Sequence, residues 1–96
     1  MKIATFPFIA KAAELIAYDN CAINRLEPFD VERFDIPYSL EDLGWAEKCL
    51  CELTDEALET VCMGEVTEAK AILERNFKPE YAELTYKVLN SIFEVI

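Results

Sequence analysis

The sequence predicts a mainly α-helical domain, a compact bundle of four to five short helices with one long anchored acidic and aromatic loop at about residues 21–38. Three observations carry that expectation. Apolar residues recur at three- and four-residue spacing through most of the chain, the period of an amphipathic helix. Helix start and stop signals punctuate those runs at Pro7, Ser39, Thr54, Gly64 and Pro79. The composition is 53% hydrophobic with only two glycines and four prolines, well outside the disordered range. Its 96 residues make one domain, residues 1–96, with a modest core.

Taken in order, Pro7 suits a first helical turn, with Thr5 just before it as the expected cap. Ile9, Ala12, Ala13 and Ile16 then follow at helical spacing, giving a first helix to about Tyr18 with Asp19-Asn20 as its stop. Ser39 offers an N-cap, and Asp42 stands at the capping-box distance in place of Glu. Leu40, Leu43, Ala46, Leu50 and Leu53 line one face beyond it. Thr54 starts the next helix, with Asp55 and Glu56 at the positive end of its dipole. Leu53 and Leu58 are spaced for a hydrophobic staple across that cap. Gly64 is expected to close this short helix in the left-handed conformation. A further helix carries Val66, Ala69, Ile72 and Leu73 and ends near Asn76. Pro79 opens the last one, where Tyr81, Leu84, Val88, Leu89, Ile92, Phe93 and Ile96 cover more than one stripe. An arc that wide is central to the core or shared with another subunit.

Between the first two helices lies the segment L-E-P-F-D-V-E-R-F-D-I-P-Y-S, Leu26 to Ser39. Phe29 and Val31, then Phe34 and Ile36, have strand-like spacing, but Pro28 and Pro37 exclude a central strand. A long anchored loop, with one turn of helix at Asp30 to Phe34, is the better reading.

The formal net charge is −10, from 19 acidic and 9 basic residues. Residues 26–64 hold eleven acidic and two basic groups, net −9, so the bias is regional. Such a charge disfavours nucleic acid and anionic membrane as direct partners and favours a basic protein surface. The acidity serves solubility on the plain reading. On the sharper one, Glu27, Asp30, Glu32, Asp35, Glu41 and Asp42 imitate a phosphate track, with Glu47, Glu52, Asp55, Glu56 and Glu59 nearby. Phe29, Phe34 and Tyr38 stand among these acids, either as anchors for a partner or as pins holding the loop to the core.

Chemistry is harder to find. There is no histidine, the commonest general base, and two glycines cannot make a phosphate-binding loop. No catalytic residues, metal or cofactor are therefore assigned, and the chain is read as not an enzyme. Cys49-Leu50-Cys51 looks chelating, but on a helix residues two apart point about 200° away from each other. No second close cysteine pair exists to complete a zinc site. The N-terminal apolar run is broken by Lys11 and Glu14, unlike a signal peptide, and no stretch is long enough for a membrane helix. A cytoplasmic location with reduced thiols is the expectation.

L-T-D-E-A-L-E-T-V-C-M-G-E-V-T-E-A-K-A-I-L, Leu53 to Leu73, resembles a pattern in small proteins of bacteriophages and other mobile elements. There a capped short helix is followed by Gly-Glu and a second helix. The resemblance implies an accessory protein of that kind, a group that includes acidic anti-CRISPR and anti-restriction inhibitors. The leading expectation is thus a non-catalytic acidic interaction module, in its sharper form an inhibitor that blocks a basic nucleic-acid-binding surface. The alternatives are a homo-oligomer paired through residues 79–96, with acidity for solubility, and a thiolate metal-binding protein.

Overall fold

A computed structural model describes residues 3–21 and 35–95 of the chain. A single turn of 3-10 helix, Ile3–Thr5, leads into five α-helices: α1 Pro7–Cys21, α2 Leu40–Glu52, α3 Asp55–Met63, α4 Val66–Asn76 and α5 Pro79–Val95. The mainly helical bundle is as the sequence predicts. Helix α1 runs through Asp19 and Asn20 to Cys21, past the expected stop. Most of the loop expected at residues 21–38 lies outside the described residues. Its described end, 35–38, is non-helical, and Ile36 there is buried in the core.

The starts of α2 and α3 follow local chemistry. The Ser39 side chain accepts from the Asp42 N–H at 3.1 Å, and the Thr54 side chain accepts from the Ala57 N–H at 3.1 Å. Acids fill the first turn of both helices, Glu41 and Asp42 in one and Asp55 and Glu56 in the other. The joints are short: Leu53-Thr54, Gly64-Glu65 and Phe77-Lys78 separate α2, α3, α4 and α5. Leu53 and Leu58 both belong to the core that the first joint crosses.

Gly64 corrects an expectation. Its φ is −85° and ψ −174°, extended backbone rather than the left-handed cap. Its N–H donates to the Thr60 carbonyl at 2.8 Å. A Cβ at Gly64 would lie 2.6 Å from that same carbonyl oxygen. The position needs glycine because the chain folds back onto the last turn of α3, not because of its φ.

Helix α5 packs against α1, α2 and α4, while α1 also packs on α2 and α3, and α3 on α4. The core runs between them through Ile9, Ile16, Leu43, Leu50, Leu58, Leu73, Val88 and Ile92, each at most 2% exposed. Burying a side chain of this size contributes about 1.5–3 kcal/mol. Alanines at 12, 13, 46, 69 and 82 are buried too and let the helices approach closely. The radius of gyration, 12.4 Å, is about that of a closely packed domain of this length.

Two positions placed on apolar faces by their spacing turn outward: Leu40 is 63% and Val66 57% exposed. Both sit in the first turn of a helix, at its projecting end. The wide arc of α5 divides. Val88, Leu89 and Ile92 are buried, Tyr81 and Leu84 are half-buried, and Phe93 is 53% exposed. Thr85 lies fully buried on the same helix.

Candidate functional site

Helix α2 is the element that organises the acidic region. Its buried residues Leu43, Ala46, Cys49 and Leu50 face the bundle. On a 3.6-residue period, Glu41, Trp45, Lys48 and Glu52 then form one stripe on the opposite side. All four are exposed. Next along the chain, Asp55, Glu56 and Glu59 of α3 are exposed as well. The Lys11 Nζ reaches Asp55 at 3.6 Å, but at 50% and 93% exposure this pair does little to cancel the acidity.

Trp45 gives this stripe an aromatic centre. Its ring centroid is 4.9 Å from that of Tyr81 on α5, with planes tilted by 31°. The Lys48 ammonium stands 5.4 Å from the indole centroid. The pair spans α2 and α5, so the indole is braced on one side while 39% of the residue stays open to solvent. A large, rigid, partly exposed aromatic is the kind of side chain that anchors a protein interface. From sequence, Trp45 fits the core or an interface equally well, because its partner Tyr81 is 36 residues away and no local signal links them.

The residues assigned from sequence divide into two groups. Glu27, Phe29, Asp30, Glu32 and Phe34 lie outside the described residues. Of the others, Asp35 and Glu41 are exposed and Asp42 is half-buried at the start of α2. Tyr38 is a pin: it packs against the core, and its hydroxyl accepts from Ser91 Oγ on α5 at 3.2 Å.

Glu47 leaves the acidic surface altogether. Its carboxylate points from α2 to the N-terminus of α1. There Oε1 accepts from the N–H groups of Phe8, at 3.0 Å, and Ile9, at 2.9 Å, and Oε2 also accepts from Phe8, at 2.9 Å. The first intrahelical bond of α1 is donated by Ala10 to the Phe6 carbonyl, so Phe6, not Thr5, is the N-cap residue. A phenylalanine has no side-chain acceptor, and the free amides of the first turn take one from a residue nearly forty positions away. The one signal in the sequence is that missing local acceptor before Pro7.

Cysteine chemistry is muted. Cys49 is buried and Cys51, two residues on, is exposed, so the two thiols lie on different sides of α2. Among the described residues no group of three or more His, Cys, Asp or Glu side chains is placed to hold a metal ion. Burial pushes the Cys62 thiol up to about 12. Burial also raises Cys49, although the adjacent Thr85 hydroxyl and Lys48 favour its thiolate. The Thr85 hydroxyl is a buried polar group without a hydrogen-bond partner among the described residues.

Two hollows open among the described residues. A wide cleft of about 610 Å³ between α4 and α5 is lined by Lys70, Glu74, Glu83, Tyr86 and Lys87 over Leu73 and Ala82. Three of its four charged side chains have partners within the protein: Lys87 pairs with Glu83 at 3.0 Å, and the Lys70 ammonium stands 4.8 Å from the Tyr86 ring centroid. A smaller groove of about 100 Å³ lies between α1, α3, α4 and α5, and none of the described residues that line it is charged. No helix among the described residues is long and apolar enough to cross a membrane. No family model, no curated protein and no solved structure matches the chain.

Proposed function

We propose that this chain is a non-catalytic acidic interaction module that covers a basic, nucleic-acid-binding surface of another protein. The observation that carries the proposal is the outward stripe Glu41–Trp45–Lys48–Glu52, continued by Asp55, Glu56 and Glu59, with the Trp45–Tyr81 pair at its edge. Carboxylates on a rigid helix hold their spacing, which favours fast, steered docking onto a basic groove and discrimination by charge position. Trp45 adds apolar contact that charges alone lack. The expected phage-type inhibitor is the narrower form of this reading. It rests on the resemblance of Leu53–Leu73 and on the net −9 of residues 26–64.

The test is capture of binding proteins from host lysate on immobilised wild type and on two reversal variants. One variant carries Lys at Glu41, Glu52, Glu56 and Glu59. The other carries Lys at Glu80 and Glu83, exposed acids of α5. Wild type should retain basic nucleic-acid-binding proteins that elute as salt rises. The first variant should lose them and the second keep them. Equal retention or equal loss by the two variants would sink the proposal.

A further inference from the structure

The acidic stripe on α2 has a ring at its centre, and that ring already holds a cation. Tyr81 lies against the Trp45 indole, 4.9 Å between centroids, and the Lys48 ammonium stands over the ring at 5.4 Å. Lys48 is the one basic residue of α2, set between the exposed acids Glu41 and Glu52 of the same stripe. Carboxylates alone would not distinguish one cation from another. A partly open indole does, because its face attracts a cation and its flat surface suits a planar one. Glu41 stands four residues before Trp45, the spacing at which helical side chains are neighbours. An aromatic face and a carboxylate are thus presented together.

We propose that the acidic face selects arginine over lysine, by taking one arginine of its protein partner onto the Trp45 ring in place of Lys48. This rests on the reading of α2 as a docking face and names the side chain that the face recognises. A partner lysine gains nothing at the ring, since its ammonium only replaces the ammonium of Lys48. A guanidinium gains twice. It is planar and more weakly hydrated, so it stacks on the indole, and its fork of N–H groups pairs with a carboxylate such as that of Glu41. Lys48 is exposed and long, so it swings aside into water. Lys48 is therefore an internal stand-in for the partner's cation, and it sets the threshold that a partner's side chain has to exceed.

Isothermal titration calorimetry with oligo-arginine and oligo-lysine of equal length, at about 50 mM salt, tests the proposal. Wild type should bind oligo-arginine about three- to tenfold more tightly. Lys48→Arg keeps the net charge of −10 and sets a guanidinium of the chain's own on the ring, so most of that preference should vanish. Trp45→Leu should bind both peptides at about the wild-type affinity for oligo-lysine. Far-UV circular dichroism checks that the variants are folded, and the exposed, charge-conserving Lys48→Arg carries the test if Trp45→Leu does not fold. Trp45 is the only tryptophan of the chain, so its emission should change on saturation with oligo-arginine and much less with oligo-lysine. Equal affinity of wild type for the two peptides overturns the proposal and leaves the acidic docking face standing. A preference that persists unchanged in Lys48→Arg or in folded Trp45→Leu comes from the carboxylates alone and also overturns it. Binding of neither peptide overturns both readings.

Discussion

Replacing Glu47 by alanine should destabilise this protein, even though the change moves its net charge of −10 toward zero. The carboxylate accepts from two first-turn amides of α1 at 2.9–3.0 Å. It also lies at the positive end of that helix dipole. Hydrogen bonds to a charged group contribute about 1.5–3 kcal/mol, and losing an N-cap costs about 0.5–2 kcal/mol. Glu47 is half-buried, so solvent takes part of that back, and about 2 kcal/mol is the expected loss for Glu47→Ala. In a domain of this size that lowers Tm by about 8–16 °C. Glu47→Gln keeps one neutral carbonyl acceptor and should lose about half as much. Glu52→Ala removes an exposed acid from the same helix and should stay within about 0.5 kcal/mol of wild type. Urea unfolding followed by circular dichroism, with an unchanged m-value, gives the differences. The reasoning fails if Glu47→Ala and Glu52→Ala are equally stable, because the carboxylate would then act as one more surface charge.

Three further outcomes follow from other parts of the fold. Gly44→Ala should stabilise by about 0.5–1 kcal/mol, since it fills a helix interior with nothing within 4 Å of the new Cβ. Gly64→Ala should destabilise by about 1–3 kcal/mol through the 2.6 Å approach to the Thr60 carbonyl, despite an ordinary φ; thermal melts of the two variants should therefore shift in opposite directions. Cys62 supplies a pH dependence. Its folded pKa of about 12 lies above the ordinary thiol value of 9.0, so the folded state holds the thiol proton more tightly. That contribution is complete below about pH 9 and is lost as pH rises toward about 12. Under reducing conditions, Cys62→Ala should lose less stability than wild type between those limits, and parallel curves would refute the assignment.

Where a signal is local, the sequence was enough. Ser39 and Thr54 cap the helices they were expected to cap, and Pro79 opens the last one, because each acts on amides or dihedrals within one turn. The helical period placed Leu43, Leu50 and Leu73 in the core for the same reason, and the charge count located the acidity between residues 26 and 64. Glu47, Trp45, Val66 and Phe93 were decided elsewhere. Glu47 became a cap because α2 passes the bare N-terminus of α1, and Trp45 became a braced surface aromatic because α5 brings Tyr81 beside it. Val66 and Phe93 are open because the other helices cover only part of the apolar arcs they stand on. Gly64 is a local signal whose reason differs from the expected one: the Thr60 carbonyl one turn back, not a left-handed φ, excludes a side chain. Helix period and capping chemistry say which residues turn inward. The mutual placement of helices, set by packing over the whole chain, says which acids stay free and which aromatics reach solvent.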